Sequence, residues 1–133
     1  RIDQSFLKWA TATRLKPVVV LHINHANEID AEVAGAIKKL LDAGMQVLNQ
    51  SVLLRGVNDS ALALAELSER LFDCGVSPYY LHLCDPVAGA QHFDLDETTA
   101  KQIYGQLQTL LPGFLVPKLV REIPNRQSKT LIS

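Results

Sequence analysis

The chain has 133 residues, 47% hydrophobic and 20% charged, with a formal net charge of −1. That is enough for one domain with a real core and too apolar for a disordered segment. There is no basic excess to mark a phosphate-binding face, and no apolar run approaches the roughly 20 residues that a membrane helix needs. The two cysteines, Cys74 and Cys84, fit reduced thiols in a cytoplasm, and neither belongs to a Cys-x-x-Cys pair that could hold zinc or a cluster. Arg1-Ile2-Asp3-Gln4 does not read as the charged start of a secretory signal. A whole βα barrel usually takes about 200 residues or more, so a barrel built from this chain is part of one.

In chain order, residues 2–15 are loosely helical, with Phe6, Leu7, Trp9 and Leu15 as apolar positions, and Pro17 ends the pattern. Residues 18–22 follow as a β-branched strand without alternation, which predicts burial on both faces. The loop from His22 leads to Asp30, a good N-cap. The next helix turns Val33, Ala36, Ile37, Leu40 and Leu41 inward and ends at Gly44.

Residues 46–53 form a second strand. After the turn Arg55-Gly56-Val57-Asn58, Asp59 is expected to cap a helix over about 60–74. Its apolar stripe reads as Leu62, Leu64, Ala65, Leu67, Leu71 and Phe72, and Gly75 closes it. Two helix–glycine–strand units in succession predict βα repeats and a parallel sheet.

The third strand spans 79–83, with Pro78 at its start, and a longer loop covers 85–93. Asp94 and Glu97 resemble a capping box for a helix reaching about Leu111, with Ile103, Leu107, Leu110 and Leu111 inward. Pro112-Gly113 breaks it, 115–123 reads as a fourth extended segment, and 124–129 is polar and turn-rich. The domain division is 1–111 for the βα units and 112–133 for the terminal segment.

Each strand deposits polar residues at its carboxyl end: His22, Asn24 and His25; Gln50, Arg55 and Asn58; His82 and Asp85. That is where a βα barrel builds its site, so the strand ends are expected to converge on one ligand. His22 and His25 stand at i, i+3, as do His82 and Asp85. Either pair suits metal or cofactor binding, or else backbone capping and solvent exposure. His92 lies in a loop. Gln50, inside an otherwise apolar strand, must find a hydrogen bond or cost about 1–3 kcal/mol. Arg55 suits an anion or a nearby acid, and Asn58-Asp59 reads as turn and cap chemistry. Lys129 is a solvated charge by composition alone.

Four segments carry a resemblance. They are His22-Ile23-Asn24-His25-Ala26-Asn27-Glu28-Ile29, Asn49-Gln50-Ser51-Val52-Leu53-Leu54-Arg55-Gly56-Val57-Asn58-Asp59, Pro78-Tyr79-Tyr80-Leu81-His82, and Gly89-Ala90-Gln91-His92-Phe93. In order and content they resemble the lysine 2,3-aminomutases of the radical S-adenosylmethionine superfamily. Tyr79-Tyr80-Leu81-His82, Arg121-Glu122-Ile123 and Ser128-Lys129-Thr130 most resemble the branch that makes β-lysine for elongation factor P.

The resemblance implies an α/β fold, the C-terminal half of a partial (βα)6 TIM-like barrel. It implies conversion of L-lysine to β-lysine by radical 1,2-amino migration. The cofactors would be S-adenosylmethionine, pyridoxal 5′-phosphate and a [4Fe-4S] cluster whose ligands lie outside this chain. By position, Lys129 matches the lysine that holds pyridoxal phosphate. Asp85 and Glu122 match acids that receive the substrate side-chain ammonium, and His22 and Gln50 match residues around S-adenosylmethionine. His82 falls where some relatives carry a tyrosine near the pyridoxal ring. A link to elongation factor P and a homo-oligomer also belong to this expectation, and the fragment alone is expected to be inactive. Two other readings stay open: a metal-dependent barrel hydrolase using His22, His25, His82 and Asp85, and a non-catalytic binding module.

Overall fold

The computed structural model describes residues 17–83, 96–121 and 130–131. Four strands, β1 (Val18–Leu21), β2 (Gln46–Leu53), β3 (Ser77–Leu83) and β4 (Lys118–Arg121), lie side by side in chain order and run parallel. The helices α1 (Ala31–Asp42), α2 (Ala61–Asp73) and α3 (Glu97–Leu110) alternate with them. A fifth strand, β5 (Thr130–Leu131), returns antiparallel along β4, and nothing in the sequence reading anticipates it. The expected α/β architecture of successive parallel βα units is what the chain adopts.

The helices start where short polar side chains can take up free backbone N–H groups. Asp30 accepts from Val33 N–H at 2.9 Å, as expected. The α2 cap is Ser60, not Asp59: Ser60 Oγ accepts from Ala63 N–H at 3.1 Å. For α3 it is Asp96, which accepts from Thr99 N–H at 2.7 Å. α1 and α2 each end two residues before a glycine, Gly44 and Gly75, both at positive φ. A Cβ on Gly75 would also stand 2.6 Å from Leu41 Cδ1, so this turn needs glycine for space as well as for backbone angle.

Burial along β2 alternates strictly, with Val47, Asn49, Ser51 and Leu53 buried and Leu48, Gln50 and Val52 half-buried. The buried side packs against the helices in two adjoining clusters. One joins Val47, and with it Val19 and Leu21, to Ile37 and Leu40 of α1 and to Leu67 and Leu71 of α2. The other joins Leu53, Leu81, Leu83 and Leu119 to Leu64, Ile103 and Leu107. Arg70 reaches from α2 to the Ile29 carbonyl at 2.6 Å, and Tyr104 O–H bonds the Pro117 carbonyl at 2.7 Å, pinning α2 and α3 over the sheet.

The opposite face is different. Val18 is 52% exposed, Val20, Leu48, Gln50, Val52, Tyr80 and His82 are half-buried, Lys118 is exposed, and Val120, the register partner of His82, is 1% exposed. The expected burial of β1 on both faces therefore does not hold among the described residues; its helix-side positions alone join a core cluster. Two smaller expectations also shift. Leu62 and Phe72 are 74% and 52% exposed, so the buried arc of α2 is Ala61, Leu64, Ala65, Leu67, Ser68 and Leu71, with Leu62 and Phe72 just outside it. Leu110 is 46% exposed, and the extended segment after Pro112 begins as a 3₁₀ turn over Gly113–Leu115 before β4.

Candidate active site at the carboxyl rim of the sheet

The rim is assembled by asparagines. β1 stops at Leu21, whose register partner is Asn49, yet the two chains stay tied beyond that point. Asn49 Oδ1 accepts from Ile23 N–H at 2.9 Å, and its Nδ2 donates to Ile23 O at 3.0 Å and to Ser51 Oγ at 3.0 Å. Ser51 Oγ donates to Ile23 O at 2.7 Å. One step further, Val52 N–H donates to Asn24 Oδ1 at 2.9 Å. Asn58 Nδ2 then donates to Asn24 O at 2.8 Å and Val52 O at 2.9 Å, while its Oδ1 takes Leu54 N–H at 2.8 Å.

Asn49 and Asn58 are 2% and 1% exposed, and each has its acceptor and both donors engaged. A buried carboxamide with every polar atom paired is a rigid connector. These side chains prolong the β1–β2 pairing past the last backbone bond and fix both loops that leave the rim. Asn58 thus does more than make a turn, the role read for it from sequence. The usable signal was Asn49-x-Ser51, two polar residues on the buried side of an apolar strand.

The first loop is closed locally as well. His25 Nδ1 accepts from Asn27 N–H at 3.0 Å, and Glu28 Oε2 accepts from Asn24 and His25 N–H at 2.9 and 3.0 Å, a capping box over a 3₁₀ turn. This is the capping role for His25. His22 is exposed and lies between Leu21 and Ile23, both tied to Asn49, so its backbone runs alongside that of Gln50.

On the open face, Gln50 Oε1 and His82 Nε2 are 3.0 Å apart. The glutamine finds its partner on the neighbouring strand, as its place in an apolar strand required. The Tyr80 ring meets the His82 ring edge-on at 5.8 Å, and Tyr79 stacks against Tyr80 at 4.1 Å. A register shift between Asn49 and Gln50 allows this: Asn49 pairs with Pro78 but Gln50 with Tyr80, so β3 carries an extra residue where Pro78 offers no N–H.

Arg55 is exposed at the rim, and its charge helps hold Asp96 below the usual carboxylate range. The larger causes are the side-chain and backbone hydrogen bonds from Thr99. Cys74 packs against the α1–α2 core as a small apolar group. Asp85, Glu122 and Lys129, with Cys84 and His92, lie outside the described residues. Among the described residues no three His, Cys, Asp or Glu side chains gather as a metal site, and no helix is long and apolar enough to cross a membrane.

No protein-family model matches the chain. Individual proteins do. An L-lysine 2,3-aminomutase of Haemophilus influenzae is 53% identical over 131 residues, 98% of this chain and 39% of that protein. An L-lysine 2,3-aminomutase of Escherichia coli is 51% identical over 98% of this chain and 38% of its own length. One from Clostridium subterminale is 40% identical over 82% of this chain and 26% of its own. Among solved structures, a radical SAM methyltransferase from Sphaerobacter thermophilus superposes with a TM-score of 0.51 over 88% of this chain and 37% of its own, at 18% identity, a likeness of fold. The chain spans about two-fifths of the length of the Haemophilus influenzae and Escherichia coli relatives, and over that span it is similar to L-lysine 2,3-aminomutases.

Proposed function

We propose that this chain forms the C-terminal wall of an L-lysine 2,3-aminomutase that converts L-lysine to β-lysine. The observation that carries this reading is the 53% identity to such an enzyme across 98% of the chain. The geometry supports it. Leu53, Leu83, Arg121 and Thr130 form one register row across β2, β3, β4 and β5. In the sequence, Glu122 and Lys129 adjoin Arg121 and Thr130, and Asp85 stands two residues after Leu83.

The described residues fit S-adenosylmethionine. Gln50 and His82 offer polar atoms on a face otherwise walled by Val20, Leu48, Val52 and Tyr80, the mixture a ligand with both polar and apolar surface requires. The chain's two cysteines do not make the three-thiolate set of a [4Fe-4S] cluster, and Cys74 is packed on the helix side, so cluster ligands would come from elsewhere. Pyridoxal phosphate needs a lysine amine, for which Lys129 is the candidate.

When bound, these groups supply a hydrogen-abstracting radical and a conjugated electron sink. This chain's residues bind and orient. His22 and Gln50 hold S-adenosylmethionine, and His82, for which the resemblance implied a place near the pyridoxal ring, stands 3.0 Å from Gln50. The carboxylates of Asp85 and Glu122 neutralise the substrate ammonium, which would be costly to bring unpaired into a dry site. The aliphatic face keeps water from the reacting carbons. A cytoplasmic location, a link to elongation factor P and a homo-oligomer belong to the same reading.

The test is spectroscopic. In the full-length protein, Lys129→Ala abolishes the visible absorbance of bound pyridoxal phosphate; an unchanged spectrum removes Lys129 from the site. This chain alone shows no turnover with both soluble cofactors and a reductant, and turnover by it would overturn the assignment of the cluster to missing sequence.

A further inference from the structure

We propose that His82 is a positioning residue for Gln50: it holds the carboxamide by its oxygen and so turns both amide N–H donors toward the open face, where they take an acceptor oxygen of the bound ligand. This rests on the reading of Gln50 as an S-adenosylmethionine contact. It differs from the place beside the pyridoxal ring that family resemblance implies for His82.

Asn49 and Ser51, on either side of Gln50, are locked on the helix side by hydrogen bonds to Ile23. The strand at Gln50 is therefore fixed, and only its side chain, with three rotatable bonds, is left to be oriented. His82 Nε2 lies 3.0 Å from Gln50 Oε1. A carboxamide oxygen only accepts, so the imidazole nitrogen facing it carries the proton. The Tyr80 ring, edge-on to His82 at 5.8 Å, limits rotation of the imidazole. The consequence is directional. With His82 on its oxygen, the amide nitrogen presents a pair of donors to a ligand, suited to a carboxylate or ribose oxygen. The extra residue in β3 brings His82 into this register, since Gln50 pairs with Tyr80 and Val52 with His82.

Two measurements on the full-length protein test this. The first needs no ligand. In ¹⁵N-histidine spectra at about pH 9, where imidazole is neutral, His82 is expected as the Nε2–H tautomer, with ring shifts that move on Gln50→Ala. An Nδ1–H tautomer, or shifts indifferent to Gln50, overturns the proposal. The second is the affinity for S-adenosylmethionine. His82→Ala weakens it about fivefold, the size expected for one neutral hydrogen bond. His82→Gln, whose amide nitrogen lies a similar distance from Cβ, restores it to within about twofold. Gln50→Ala weakens it at least as much, and the double variant adds nothing to Gln50→Ala, as for two residues acting through one contact. Additive losses, or a His82→Ala protein with altered pyridoxal absorbance and unchanged S-adenosylmethionine affinity, overturn it. A wild-type protein that binds no S-adenosylmethionine breaks the functional reading instead, while the tautomer still reports on the bond.

Discussion

The two faces of one sheet share the same four strands and use them in opposite ways. On the helix side, Leu53, Leu81, Leu83 and Leu119 are 0–3% exposed and the polar groups among them are paired with backbone. On the other side the same strands show half-buried Val20 and Val52, a glutamine–histidine pair, an exposed lysine and a single buried valine, Val120. A parallel sheet ordinarily buries both faces. The helix side holds the strands at fixed register, and in the proposed function the open side is the one that meets a ligand. Substitutions on the two sides therefore separate into losses of folding and losses of binding.

The largest stability effect belongs to the helix side. Leu107→Ala, at a fully buried position between β3, β4 and α2, is expected to cost about 2–5 kcal/mol in urea unfolding of the full-length protein. A loss under about 1 kcal/mol would mean that α3 is not part of the core. Next comes the connector between the faces. Asn58→Ala strands the Leu54 N–H and the carbonyls of Asn24 and Val52, at an expected cost of about 2 kcal/mol. It also loosens both rim loops, so S-adenosylmethionine affinity falls with stability. A change in only one of the two would uncouple rim order from binding.

Much of this contrast was legible in the sequence. Pro17, Gly44 and Gly75 punctuate the βα units, and Gln50 announced a side-chain partner because an amide in an apolar strand needs one. The identity of that partner was not legible, because it lies on a different strand 32 residues away. The same holds for Asn49 and Asn58, whose partners lie 26 and 34 residues back. A polar residue in a strand looks the same in one dimension whether it faces a ligand or a neighbouring loop. Leu62 and Phe72 misled for a related reason: each sits one residue, about 100° of helix, from the buried arc through Ala61 and Leu71, and an apolar count cannot tell an arc from its margin. Asp59 and Ser60 are both good caps, and only the geometry chooses Ser60. The acids and the lysine of the proposed site fall in segments beyond the described residues, so their reading rests on resemblance and on the register row that flanks them.

The remaining predictions are small by design. Leu62→Lys, on the outer side of α2, should change stability by no more than about 0.5 kcal/mol, and a larger loss would place another surface against α2. Asp96 gives a pH signature. Hydrogen bonds from the Thr99 side chain and backbone hold its carboxyl below the ordinary value of 3.8. Its contribution is therefore complete above that value and is lost as pH falls through the lower folded one. A protein whose stability loss in that acid window is identical with Asp96→Ala would show that the cap is not formed.

The most direct measurement is product analysis on the full-length protein, kept anaerobic with pyridoxal phosphate, S-adenosylmethionine, a one-electron reductant and isotopically labelled L-lysine. The account predicts labelled β-lysine, formed by the wild type and lost with Lys129→Ala. Lysine returned unchanged by a protein that binds both cofactors, or a hydrolytic activity that follows added zinc, would contradict it.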